Sequence, residues 1–177
     1  MNRAQFEHAI RAAGAILGES EVLVIGSQAI HASLDDETLP EAERSIEVDV
    51  SSLEDEDGRK ADLIDGSIGE LSMFQDTFGY YAQGVTPDSA VLPAGWRERL
   101  VPYCTTGTNG ITALCLEPHD LWLSKAIVGR DKDREFCRAL LERALVTPVI
   151  LRQRLEQIPG LKPPVRERVS ELTAAAQ

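Results

Sequence analysis

No run in this sequence approaches the roughly eighteen consecutive apolar residues that a membrane helix needs, so no membrane span is expected. The first residues, Met1-Asn2-Arg3-Ala4-Gln5-Phe6-Glu7, offer neither a long apolar core nor a cleavage site of small residues. A secretory leader is therefore not expected, and the cytoplasm is the simplest location. Cysteine is scarce: Cys104, Cys115 and Cys137 are odd in number and show no Cys-x-x-Cys spacing, which argues against a disulfide framework and against a zinc knuckle. An excess of base is also missing. The formal net charge of -11 argues against nonspecific attachment to nucleic acid by the whole surface, while leaving a local basic site open. Neither an internal repeat nor a low-complexity linker divides the 177 residues. The chain reads as one domain over 1–145, with 146–177 a helical extension of that same domain.

What is present centres on Val22 to Val50. Val22-Leu23-Val24-Ile25 is a short apolar run that ends in Gly26-Ser27 and passes at once to helix formers, the pattern of a buried strand turning tightly into a helix. Gly26 removes the Cβ that would block close backbone approach, and Ser27 offers a hydroxyl at a helix start. Such a bend can hold a phosphate oxygen, or it is only a turn with Ser27 as helix cap. Asp35 to Glu43 is acidic, broken by Pro40, and expected as a loop. Next, Ser45-Ile46-Glu47-Val48-Asp49-Val50 alternates, placing Ile46, Val48 and Val50 on one face and Glu47 and Asp49 on the other. Acids two apart on a strand project side by side, with Cα atoms roughly 6.5 to 7 Å apart. Both can reach one divalent cation.

The remaining elements frame this stretch. Phe6, Ile10, Ala13 and Leu17 predict an N-terminal helix ending at Gly18. Leu63, Ile64, Ile68 and Leu71 predict another, with Asp62, Asp65 and Glu70 on its solvated face, and Phe78 to Val85 predicts a strand. Gly107-Thr108-Asn109-Gly110 marks a hairpin between strands that end at Leu116. Pro118 opens an apolar helix in which Lys125 must either snorkel to water or meet an anion. Its residues Leu121, Trp122, Ala126, Ile127 and Val128 are expected against the sheet. Gly129 interrupts it, and Asp131 is expected to cap the following helix. Acids gather between Asp35 and Glu70, whereas Lys125, Arg130, Lys132, Arg134 and Arg138 crowd one later segment. The C-terminal helices carry Arg152, Arg154, Arg166 and Arg168, which would cover the core, face a polynucleotide or bind a partner.

Strand, Gly-Ser, helix and paired acids on the next strand together resemble the nucleotidyltransferase superfamily, the polymerase-β-like minimal fold. Pro118-His119-Asp120-Leu121, the Lys125 helix and Gly129-Arg130-Asp131-Lys132-Asp133 are similar to the AbiEii-type and DUF6036-type branch, as are Phe78-Gly79-Tyr80-Tyr81 and Leu92-Pro93-Ala94-Gly95-Trp96. The resemblance spans about Val22 to Leu141. It implies an α/β (α+β) fold with a mixed central sheet and flanking helices, and Mg²⁺-dependent transfer of a nucleoside monophosphate from an NTP. It also implies site roles: Gly26 and Ser27 on the terminal phosphates, Glu47 and Asp49 as catalytic metal ligands, and Lys125 against triphosphate charge. Arg130 would assist at the nucleotide or pair with Asp133, which is itself placed at the nucleotide, and Lys132 would face solvent. The acceptor would be tRNA or other RNA, a protein, or a small hydroxyl compound. Bacterial toxins belong to this neighbourhood, which adds a cognate antitoxin or DNA-binding partner, and a binding protein without catalysis is the alternative.

Three features depart from the superfamily pattern. Glu47 stands where Asp is usual, the interval from Gly26-Ser27 to the acids is about twenty residues, and no acid occupies the Phe78 to Val85 strand, which leaves Asp88 as the nearest third carboxylate. A strand, a glycine turn, a helix and an acid about twenty residues on also begins a dinucleotide-binding unit. Here, though, one glycine replaces Gly-x-Gly-x-x-Gly.

Overall fold

An amphipathic helix, α1 (Arg3–Leu17), opens the chain, its first turn closed by Asn2, which accepts from the Gln5 amide, and its end by Gly18 at φ 67°. Phe6, Ile10 and Ala13 lie fully buried along one face, as their spacing predicts. The computed structural model describes residues 1–34 and 38–174. Part of the expected acidic loop, residues 35–37, therefore lies outside the described residues. The rest of that loop folds instead into a single helical turn, α2 (Pro40–Glu43), because Pro40 supplies a preset φ at the first helical position.

Five strands form the sheet: β1 (Glu21–Val24), β2 (Glu47–Ser51), β3 (Tyr81–Gly84), β4 (Val101–Tyr103) and β5 (Thr112–Cys115), in the order β3-β2-β1-β5-β4. β1 runs antiparallel to β2 and parallel to β5, β2 is parallel to β3, and β4 is antiparallel to β5, so the sheet is mixed. The fold is α/β with helices on the sheet, as the order of elements implied. Antiparallel pairing of β1 with β2 removes the dinucleotide-binding reading, which requires a parallel crossover at that point. After the exposed Glu21, β1 is apolar on both faces and covered from Val22 to Val24, as a central strand must be.

Helices α3 (Arg59–Ile68) and α4 (Met73–Phe78) join β2 to β3. Phe78, expected in a strand, closes α4, and β3 begins three residues later, because Ser72 caps a helix where the aromatic spacing alone suggested extension. Only part of the predicted α3 stripe is inside. Ile64 and Ile68 are buried, whereas Leu63 is exposed and Leu71, beyond the helix end at φ 62°, is 88% exposed. Asp65 is not a solvated surface acid: its carboxylate accepts from the Gly84 amide at 2.7 Å and from Gln83 Nε2 at 3.3 Å, tying α3 to β3.

The most apolar helix is α5 (Pro118–Val128), buried on nearly every side between a 3-10 helix (Ser27–Ser33), α6 (Asp131–Glu142), α7 (Pro148–Leu155) and α8 (Pro163–Ala174). Leu121, Trp122 and Leu123 are each covered, contributing about 1.5–3 kcal/mol apiece. The Trp122 indole N–H donates to the Cys137 carbonyl at 2.9 Å. Val128, expected against the sheet, is exposed in the last turn. Asp131 does not cap α6. It is the first helical residue and fully outside, while Asp133 reaches back to accept from the Arg130 amide at 3.2 Å.

Of the openings left for the C-terminal arginines, the helices use the structural one. Arg154 pairs with Glu117 and with the fully buried Asp120, Arg166 donates to the carbonyls of Leu155 and Ile158, and Arg168 donates to those of Ala126 and Ile127. No disulfide links Cys104, Cys115 and Cys137, two of which are buried. Among the described residues no helix is long and apolar enough to cross a membrane.

Candidate functional site

Gly26 follows β1 and precedes the 3-10 helix, and it stands where a side chain is forbidden. A methyl group there would overlap the Asp49 carboxylate, which lies against the backbone of the bend. Asp49 also accepts, through its carbonyl, from the Ile25 amide at 3.2 Å. The acid strand and the Gly-Ser bend are thus direct neighbours in space. Gly26 itself is the helix cap residue and makes no side-chain cap bond, so Ser27 is the first helical residue rather than the cap. Its half-buried side chain lines a cleft of about 270 Å³.

Two walls define that cleft. One is β2, with Glu47 and Asp49 side by side above buried Val48 and Val50. Ile46, one residue before the strand, departs from the predicted alternation and is 50% exposed. The other wall is the end of α5 and the start of α6, carrying Lys125, Arg130, Lys132 and Asp133. Gly129, left-handed at φ 73°, stops α5 with its amide on the Lys125 carbonyl at 2.9 Å and turns the chain into α6, which sets these basic residues around one opening. The acidic and basic segments of the sequence therefore meet across this cleft.

The charges act on one another. Burial raises the Asp49 pKa first, the hydrogen-bonded and negative Glu47 carboxyl raises it further, and Lys125 and Lys132 pull it back, leaving it at about 6. Arg130 donates from Nε to Asp133 Oδ2 at 2.8 Å and from Nη2 to Oδ1 at 3.3 Å. Asp133 is thereby spent on Arg130, and its part in the cleft is to aim that guanidinium. Lys132, expected to face solvent, is exposed yet stands at the mouth of the cleft near enough to bear on Asp49. Lys125 answers the question its apolar helix posed: its ammonium emerges at the acids.

Asp88 does not join them. It lies on a separate depression of about 1370 Å³ beside Leu53, Trp96 and Pro159, and accepts from the Thr86 hydroxyl at 2.5 Å. In place of a third carboxylate, the parallel register sets Tyr81 opposite Glu47 and Gln83 opposite Asp49. The Tyr81 hydroxyl donates to Glu47 Oε2 at 3.0 Å. Burial chiefly, with Glu47 beside it, pushes the Tyr81 pKa up to about 12. Among the described residues no three His, Cys, Asp or Glu side chains are grouped to hold a metal ion, and of the acids that line the cleft Glu47 and Asp49 are the two from β2. Arg44 and Glu135, which pair across the cleft mouth at 2.9 Å, and Ser45 beside the acids went unread in the sequence. No local pattern marks them, since α2 and α6 are brought together only by the fold.

A family model described as "Nucleotidyltransferase of unknown function (DUF6036)" matches residues 5–157. The chain belongs to this family. No curated protein and no solved structure matches it. Family membership makes a nucleotide the expected substrate, and the match takes in β1 to β5, both walls of the cleft and α7.

Proposed function

We propose that this family member is a Mg²⁺-dependent nucleotidyltransferase that moves a nucleoside monophosphate from an NTP to a hydroxyl acceptor on RNA, protein or a small molecule. The observation that carries the proposal is the contact of Asp49 with the Gly26 backbone, which sets a two-carboxylate strand against the Gly26-Ser27 bend in a cleft lined by Lys125, Arg130 and Lys132. The donor set fits the ion. Mg²⁺ commonly takes one or two protein carboxylates and completes its shell with water and substrate phosphate oxygens. Glu47 and Asp49 would hold it, and when bound it would neutralise phosphate charge and acidify the attacking hydroxyl.

The chain's own residues do the positioning. The space a Gly26 side chain would take is filled by the Asp49 carboxylate, so the terminal phosphates meet the bend at the Ser27 hydroxyl, which caps nothing and donates to a phosphate oxygen. Lys125 and Lys132 counter triphosphate charge as point cations, while Arg130, held by Asp133, presents its remaining N–H groups in a fixed orientation. Most of the rate enhancement is then assigned to orientation and preset electrostatics.

A second reading has its own observation: no third metal-ligating side chain joins Glu47 and Asp49 among the described residues, which also suits a protein that binds nucleotide without transferring it. Labelled-NTP binding with and without Mg²⁺, beside an Asp49→Asn control, tests the first step. Metal-dependent binding lost in the variant is expected. Transfer to tRNA, protein or small hydroxyl acceptors then separates the two readings, and binding without any transfer leaves the second standing. A wild-type chain that ignores Mg-NTP sinks both.

A further inference from the structure

Behind Glu47, outside the residues that line the cleft, stands a phenol. Tyr81 begins β3, an edge strand held to β2 in parallel register, and its ring is buried. Its hydroxyl sits 3.0 Å from Glu47 Oε2 and donates to it. Gln83, the next β3 residue on that face, turns its amide away to Asp65. Within β3, Tyr81 alone is hydrogen-bonded to the acid pair.

Glutamate at position 47 brings one methylene and one rotatable bond more than aspartate would. Unrestrained, that freedom spreads the carboxylate over several positions and weakens any site built from it. A donor on a rigid strand cancels the freedom by engaging one oxygen and fixing the plane of the other. The reach matters, because an aspartate at 47 would stop short of the Tyr81 hydroxyl. The longer acid and the phenol therefore form a matched pair.

We propose that Tyr81 is a positioning residue which, through its hydroxyl on Glu47 Oε2, holds the second Glu47 oxygen beside Asp49 for a shared divalent cation. The proposal rests on the metal-site reading above. In this arrangement a neutral donor occupies the β3 position where a third acid would otherwise add charge, so the pair keeps its geometry without further like-charge repulsion.

The test uses Mn²⁺ alone as the probe, titrated into the full chain and followed by electron paramagnetic resonance, with melting temperatures recorded alongside. Four proteins are compared: wild type, Tyr81→Phe, Glu47→Asp and the double variant. Tyr81→Phe is expected to weaken Mn²⁺ binding about tenfold while melting as wild type does. In the Glu47→Asp background the same change is expected to alter affinity by less than twofold, since the shorter acid does not reach the hydroxyl. Equal losses in both backgrounds overturn the proposal, as does a Tyr81→Phe chain that binds Mn²⁺ like wild type. A Tyr81→Phe chain that unfolds also counts against it, because a hydroxyl that only orients Glu47 leaves the packed ring in place. Wild type without Mn²⁺ affinity removes the metal-site reading itself, a result distinct from wild-type affinity that Tyr81→Phe leaves intact.

Discussion

Asp49 is pulled both ways by its neighbours, and the balance has a sign that can be measured. Its folded-state pKa of about 6 stands above its ordinary value of 3.8. A raised pKa means that the protonated form favours folding: the contribution is full below about pH 4 and is lost as pH rises through 6. At neutral pH the ionised carboxylate therefore costs the fold on the order of 1–3 kcal/mol. Asp49→Asn should remove that cost, so urea denaturation is expected to find the variant more stable than wild type at pH 7.5 and equal to it at pH 4. A variant less stable at both values would show that Asp49 is a structural acid instead. Its neighbour Gly26 was legible as a close-approach glycine, though what approaches it, the Asp49 carboxylate, was not. That contact joins β1 to a residue more than twenty positions on, and no local pattern records it.

The passage from α5 into α6 shows how an element boundary aims a side chain. Gly129 was readable as the stop, because a left-handed residue with no Cβ suits a helix end. Asp131 was the expected cap, yet the sharp turn after Gly129 makes Arg130 the last extended residue and brings Asp133, one turn into α6, back onto its amide. Asp133→Ala is expected to destabilise the chain by about 1–2 kcal/mol in chemical denaturation. Asp133→Asn, which retains an acceptor for the amide, should lose less than half as much. Equal losses would assign the effect to the Arg130 pairing rather than to the cap. The strands teach the same lesson. Period-two alternation located Glu47 and Asp49 on one face, while the identity of their β3 partners depended on a register set by α3 packing onto β3 through Asp65.

Across the whole molecule, α7 is locked to the start of α5 by a buried ionic network. Arg154 meets Glu117 and Asp120, Arg99 donates to Asp120 from Nε at 2.8 Å, and His119 Nδ1 lies 2.6 Å from Glu117 while its Nε2 accepts from the Thr147 amide. Burial is the largest single influence on Glu117 and would raise its pKa, yet the hydrogen bonds from His119 and Arg154 together overcome it and hold it at about 2. A lowered pKa contributes stability that is present above about 4.5 and lost as pH falls toward 2. Arg154→Met leaves Asp120 with Arg99 alone and is expected to cost about 2–4 kcal/mol at pH 7. The gap from wild type should narrow as pH drops from 4.5 toward 2. A gap independent of pH would mean that packing of the arginine stem, not its charge, joins these helices.

Local order was written in the sequence itself: the helical period of α1, the caps at Gly18 and Gly129, the buried run of β1, the alternation that sets Glu47 beside Asp49, and the family these motifs announce. Each depends on interactions within a few residues, so adjacent side chains suffice to encode it. Tertiary structure alone decided that β1 and β2 run antiparallel, that Lys125 and Lys132 arrive opposite the acids, that Tyr81 rather than Asp88 meets Glu47, and that the C-terminal arginines bind their own chain. These contacts join groups many residues apart. Their geometry follows from how the whole sheet and its helices pack, which no short stretch of sequence contains.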